Sequence, residues 1–255
     1  MNVIRSILVF TWMVISIIPF GIGLLVSSLF LKDEKVWWWF AVPWLQGVVV
    51  AARVIGGVQY RVHGEENLPS PENMRRVVLC PKHQSTWETF YFPSMTSHPL
   101  AYVFKKELLK IPVFGWCIGA IDMIHIDRDK RNEAWAKVAE QGRELMDRGK
   151  WIIMFPEGTR TERGKKGNYK AGATRLAVAT GACVIPIAVT SGRCWPRRSF
   201  SLRPGMIDVS IGQPISAEGR EPGELMDEVE AWIENEMHRL DPEAYTSSDR
   251  VQTDS

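Results

Sequence analysis

Residues 7–31, ILVFTWMVISIIPFGIGLLVSSLFL, contain no charged side chain. As a helix rising about 1.5 Å per residue, this run is longer than the roughly 30 Å hydrocarbon core of a bilayer. A secretory signal would have a shorter apolar run and a small-residue cleavage site, and neither stands out. Pro19 and Gly21 predict a kink, which membrane helices tolerate. KDEK (32–35) predicts a polar turn, and VWWWFAVPWLQGVVVAA (36–52) is again uncharged until Arg53. Trp37, Trp38 and Trp39 suit a belt at headgroup level, where amphipathic rings settle. Residues 1–57 are therefore expected to form N-terminal membrane helices, either a hairpin or one span plus a helix lying in the interface. The competing reading is a hydrophobic helix pair buried in a soluble core, but uncharged runs of this length are rare outside membranes. Charge leaves the orientation open, because Arg5, Lys32, Lys35, Arg53 and Arg61 are spread over both ends.

From Val58 the pattern changes. VQYRVHG (58–64) alternates like a strand, RVVLC (76–80) and AYVF (101–104) read as short buried strands, and IDMIHI (121–126) alternates again. NEAWAKVAEQGRELMDRG (132–149) has apolar residues at helical spacing and stops at Gly149. WIIMF (151–155) predicts a central strand, AGATRLAVATG (171–181) a helix and CVIPIAV (183–189) another strand. MIDVSIG (206–212) predicts a strand and EPGELMDEVEAWIENEMHRL (221–240) an amphipathic helix. Strands alternating with helices define an α/β domain over 58–240, with a mixed, largely parallel sheet flanked by helices. Residues 241–255, DPEAYTSSDRVQTDS, are polar and are expected to form a flexible tail.

Composition narrows the function. Apolar residues make up 45% of the 255, enough for a substantial core. The net charge of +2, from 31 basic and 29 acidic residues, gives no electrostatic case for a nucleic-acid partner. Cys80, Cys117, Cys183 and Cys194 are widely spaced, which forms neither a zinc pattern nor a compact disulfide framework. No metal site is expected, and no H-E-x-x-H, Walker loop or G-x-G-x-x-G occurs in the α/β region.

The candidate chemistry sits where strands end, as it does in open α/β sheets. In PKHQSTWETF (81–90), His83 follows a strand and Glu88 falls in the first turns of a helix that Ser85 or Thr86 can cap. In one continuous helix a five-residue step would put the two side chains about 140° apart. The pair can therefore meet only if His83 lies outside the helix, on a loop that bends back over Glu88. Glu88 would then fix one ring nitrogen and leave the other as a base. The alternative is a glutamate that simply favours a helix N-terminus, and on spacing alone it is the simpler reading. FPEGTR (155–160) forces a tight turn after a strand and presents Glu157, Thr159 and Arg160, whose donor fork suits phosphate. Lys105 and Arg128 each follow other strands and can converge with Arg160 on an anion, although each alone reads as a surface charge.

Taken in order, HQSTWE, KKELLKIPVFGW with HIDR, FPEGTR with YKAGATRLA behind it, and VIPIAVT resemble the four blocks of the glycerolipid acyltransferases, the 1-acyl-glycerol-3-phosphate acyltransferase family. The resemblance covers roughly residues 60–215, and the apolar N-terminus matches many bacterial members. It implies a membrane-bound enzyme that moves a fatty acyl group from acyl-CoA or acyl carrier protein to the 2-hydroxyl of 1-acyl-glycerol 3-phosphate, forming phosphatidic acid without a cofactor. It implies His83 as base and Glu88 as its partner. Lys105, Arg128 and Arg160 would hold the phosphate, Glu157 and Thr159 would shape the glycerol site, and Gly158 counts among the substrate-binding residues. The implied location is the bacterial inner membrane, with the catalytic face on the cytoplasmic side.

Three positions depart from the family pattern: Glu88 where Asp is usual, Lys82 where Asn is common, and Thr161 where Ser is common. These departures bear on the acceptor more than on the reaction. The alternatives are another lysophospholipid or a lyso-ornithine lipid as acceptor, a lipid ester or thioester hydrolase, and a non-catalytic lipid-binding membrane protein.

Overall fold

The computed structural model describes residues 2–70, 72–73, 75–126 and 131–245. Its centre is an eight-stranded mixed sheet. The strands are β1 (Val58–His63), β2 (Val77–Pro81), β3 (Leu100–Lys105), β4 (Ile124–Ile126), β5 (Trp151–Ile153), β6 (Cys183–Val189), β7 (Gly205–Ile211) and β8 (Ile215–Ser216). Their order is β1-β7-β6-β2-β5-β3-β4, with β8 also paired to β6. β6 runs antiparallel to β7 and β8, and every other pairing is parallel. β2, β5 and β6 are buried at every position, hence their unbroken apolar sequences. Edge strand β1 instead mixes buried, half-buried and exposed positions.

Alternate side chains feed two cores. Val78, Cys80, Ile152 and Val184 face α6 (Arg131–Asp147), α7 (Gly172–Thr180) and α8 (Pro222–Leu240). Val77, Leu79, Ile153 and Ile185 face the opposite layer, built from α4 (Trp87–Met95), α5 (Phe114–Ala120) and the N-terminal helices. The α/β class expected from the alternating strands and helices is the one observed. Two expected boundaries move. The strand read over 121–126 begins only at Ile124, and the apolar segment before it forms α5. Of the tail expected from 241, Asp241 and Tyr245 are buried, while residues 246–255 lie outside the described residues.

The N-terminal segment has two helical runs. α1 (Asn2–Ser28) continues through Pro19 and, among the described residues, is the one helix long and apolar enough to cross a membrane, with a mean hydropathy of 2.3 over an 18-residue stretch. The second run starts at Asp33, so KDEK opens a helix where a polar turn was expected. α2 (Asp33–Val36) passes through a π-helical turn, Trp37–Ala41, into α3 (Val42–Val54). Pro43 explains the turn: it lacks the N–H that would bond four residues back, and its ring crowds that carbonyl. The tryptophan belt is corrected as well. Trp37 is only 1% exposed, inside the core, whereas Trp39 is 59% exposed.

α1 lies against the domain along much of its length. The Ser6 hydroxyl accepts the Leu202 amide at 2.8 Å. Phe10 meets Trp195 edge-on with ring centres 5.4 Å apart. Trp44 donates its indole N–H to Ser16 at 3.1 Å. Gly21 approaches Cys117, with its carbonyl 3.8 Å from the sulfur. The opposite face, including Ile7, Val14, Ile15, Ile18 and Ile22, is exposed.

Candidate active site

The carboxyl ends of β2 and β5 lie side by side, in register at Leu79 and Ile153. The chain leaves β2 through Lys82, whose amide still bonds the Ile187 carbonyl at 2.8 Å. His83 comes next, outside any helix, and its backbone is held on both sides. Its amide donates to Glu157 Oε2 at 2.8 Å. Its carbonyl accepts from the Thr161 amide at 2.8 Å and the Thr161 hydroxyl at 3.1 Å. Its ring stacks on Phe155 with centres 3.8 Å apart.

The imidazole Nδ1 lies 2.6 Å from Glu88 Oε2. A carboxylate only accepts, so Nδ1 carries the proton and Nε2 keeps its lone pair. The other Glu88 oxygen accepts the amides of Gln84 and Ser85, both at 2.9 Å, and the Ser191 hydroxyl. The Ser85 hydroxyl accepts the Trp87 amide at 3.0 Å. This reciprocal arrangement is a variant of the capping box, in which a helix start satisfies its own amides. Glu88 thus makes both kinds of contact: one oxygen meets the amides around the start of α4 while the other meets the His83 ring. Glu88 is fully buried and His83 nearly so.

FPEGTR forms the turn the sequence predicts. Gly158 adopts φ 64°, where a side chain would be strained, and its amide bonds the Phe155 carbonyl at 3.0 Å. The turn splits the motif. Gly158, Thr159 and Arg160 line a cavity of about 1060 Å³ beside His83. Glu157 points the other way, beneath the histidine loop, with Oε1 2.7 Å from Lys82 Nζ. Its carboxylate therefore holds the His83 loop and forms no part of the cavity wall expected to shape a glycerol site. Lys105 ends β3, but its side chain and the whole of Arg128 lie outside the described residues.

The cavity has two kinds of wall. One is polar and cationic, with Lys170, Arg197 and Arg198 beside Arg160. None of these four forms an ion pair with another described residue. Burial lowers the Arg160 pKa, Glu88 opposes that effect, and Arg197 adds to it. A guanidinium nonetheless stays charged, so this wall attracts anions. The other wall is apolar, with Ile17 and Leu24 of α1, Phe40 and Trp44 of the second run, Phe90 of α4 and Ile121 after α5. Sequence reasoning missed Lys170, Arg197, Arg198 and Ser191. Lys170 lies inside the quoted YKAGATRLA block and was within reach. Ser191 is 103 residues from Glu88, and no spacing could reveal that contact.

The profile of the acyltransferase family matches residues 59–190, the span that carries His83, Glu88 and the FPEGTR turn. The chain is 40% identical over 202 residues to a 1-acyl-sn-glycerol-3-phosphate acyltransferase of Pseudomonas aeruginosa, covering 78% of this chain and 77% of that one. It is 27% identical over 199 residues to the mouse 1-acyl-sn-glycerol-3-phosphate acyltransferase alpha, covering 77% and 67% respectively. The crystal structure of the 1-acyl-sn-glycerophosphate acyltransferase PlsC from Thermotoga maritima shares the fold, with a TM-score of 0.78 at 24% identity over 94% of this chain and 95% of that one. The chain belongs to the acyltransferase family, in the branch of these 1-acyl-sn-glycerol-3-phosphate acyltransferases.

Proposed function

We propose that this protein transfers a fatty acyl group from the thioester of acyl-CoA or acyl carrier protein to the 2-hydroxyl of 1-acyl-glycerol 3-phosphate, releasing phosphatidic acid and free thiol. The observation that carries this reading is the His83–Glu88 pair at 2.6 Å, set on a cavity with one cationic and one apolar wall. His83 Nε2 takes the proton of the 2-hydroxyl as that oxygen attacks the thioester carbonyl. The tetrahedral intermediate collapses, the C–S bond breaks, and the thiolate recovers the proton from the imidazolium. Glu88 stabilises the imidazolium while it exists. General-base assistance of this kind is worth on the order of 10²–10⁴ in rate.

In this reading the acceptor phosphate sits among Arg160, Lys170 and Arg197, with Lys105 and Arg128 completing the cationic set expected from the sequence. The apolar wall receives fatty chain, and each buried methylene contributes about 0.8 kcal/mol. Membrane association follows from α1. Because α1 is strapped to the domain from Ser6 to Gly21, we place it along the interface, with its exposed face and neighbouring Phe200 in the lipid. Cytosolic donors place the catalytic face at the cytoplasmic leaflet of a bacterial inner membrane.

The test is full-length protein in detergent with acyl-CoA and a panel of lyso-lipids, with products read by mass. Phosphatidic acid formed only when 1-acyl-glycerol 3-phosphate is added supports the proposal. Free fatty acid without acceptor would make the protein a hydrolase. A product from only a different lysophospholipid or a lyso-ornithine lipid would refute the acceptor assignment.

A further inference from the structure

Behind the His83–Glu88 pair lies a second buried cluster of charge. Lys82 is fully buried. Its ammonium donates to Glu157 Oε1 at 2.7 Å, Glu234 Oε1 at 2.6 Å and the Lys165 carbonyl at 3.2 Å. Those three bonds use all three of its protons. Glu234 belongs to α8, and the same oxygen accepts the Tyr169 hydroxyl at 2.6 Å. Glu157 passes the constraint forward, because its other oxygen accepts the His83 amide at 2.8 Å. An unbroken hydrogen-bond chain thus runs from Tyr169 through Glu234, Lys82 and Glu157 to the backbone of His83.

None of Lys82, Glu157, Glu234 and Tyr169 lines the cavity. Two carboxylates share one cation, and burial pushes the Glu157 carboxyl up against the opposing pull of Lys82 and the His83 amide. Burying such a group costs desolvation that the mutual attraction of the charges often fails to offset. Stability alone is therefore a poor reason for the arrangement. Its distinguishing property is directional: it clamps the histidine loop from behind while Glu88 clamps the ring from in front.

We propose that Lys82 and Glu234 are positioning residues for acyl transfer, acting through Glu157 to hold the His83 backbone so that Nε2 meets the acceptor hydroxyl. The inference rests on His83 being the base. It also removes Lys82 from the acceptor site, where its departure from the family pattern had suggested an influence.

The experiment compares full-length wild type with Lys82→Met, Glu234→Gln, Glu234→Leu and Tyr169→Phe in detergent. Thiol release is measured at varied lyso-lipid, well below each variant's unfolding midpoint. Misplacement of a catalytic group by about an ångström can cost on the order of a hundredfold. Lys82→Met and Glu234→Leu should accordingly lose about ten- to a hundredfold in kcat, with KM for the lyso-lipid within about twofold. Glu234→Gln keeps an acceptor for Lys82 and Tyr169 and should stay within about threefold of wild type.

An unchanged kcat in folded Lys82→Met, or equal kcat in the two Glu234 variants, overturns the proposal. A rise in KM alone would place Lys82 at the acceptor and overturn it as well. Should Lys82→Met fail to fold, Tyr169→Phe decides, because it leaves every charge paired. A loss of about two- to fivefold in kcat supports the proposal, and a wild-type kcat overturns it. Failure of wild type to transfer acyl groups at all would instead refute the function itself.

Discussion

The two walls of the cavity are built in opposite ways. On the polar wall, His83 is held at its amide, carbonyl, ring face and Nδ1 by Glu157, Thr161, Phe155 and Glu88. On the apolar wall, Ile17, Leu24, Phe40 and Ile121 are fixed only by packing between helices. Proton transfer needs a lone pair aimed within a few tenths of an ångström, which directional bonds supply. Holding a hydrocarbon chain needs only volume and the exclusion of water, which packing supplies. Damage to the first wall should therefore appear as lost rate, and damage to the second as changed preference.

Apart from loss of the base itself, the largest effect is expected from its partner. Glu88→Ala removes the Nδ1 acceptor and leaves two amides and the Ser191 hydroxyl without their bonds. Steady-state thiol release should fall on the order of 10²–10⁴-fold. A next, smaller effect tests the cationic patch. Arg160→Ala should raise KM for the phosphate-bearing acceptor by about ten- to a hundredfold and leave KM for an uncharged monoacylglycerol nearly unaltered. Equal changes for both acceptors would remove the phosphate from Arg160.

Gly21→Leu addresses the apolar wall. A Cβ there would lie 2.9 Å from Val113 Cγ1 and 3.2 Å from Cys117 Sγ, so the larger side chain must enter the cavity or push the helices apart. Competition between donors of different length should shift toward shorter chains by about fourfold per excluded methylene. The shortest donors should turn over within about twofold of the wild-type rate.

The smallest effect concerns the frame and spares both walls. Burial alone would raise the Asp241 carboxyl, but bonds from Arg163 and Arg193 hold it below its ordinary 3.8. A carboxyl depressed by folding stabilises the folded state above its unfolded pKa. That contribution fades as pH falls through the folded value. Thermal unfolding followed by circular dichroism should show wild type losing stability below about pH 4. Asp241→Asn should be less stable at neutral pH and depend less on pH in that acid window.

The contrast between the walls also explains what could be read from the sequence. β2, β5 and β6 announce themselves as apolar runs because both of their faces are buried. His83, Glu88 and the FPEGTR turn are legible because directional chemistry concentrates residues within a few positions after a strand. Glu157 shows the limit: the motif locates it, but only the Gly158 turn reveals that it faces away from its neighbours. Trp37 and Trp39 sit in one run of three tryptophans yet have opposite exposures, decided by how the π-helical turn lies against α1. Arg197 and Arg198 join the patch through the loop after β6, a placement that depends on tertiary folding and leaves no local trace.

The most direct measurement is acceptor-dependent thiol release from an acyl thioester by wild type and His83→Ala, run beside lyso-lipid binding to both proteins. Wild type should release thiol only with acceptor present, and His83→Ala should lose on the order of 10²–10⁴ in kcat while still binding lyso-lipid. A His83→Ala protein that transfers acyl groups at the wild-type rate would contradict the account.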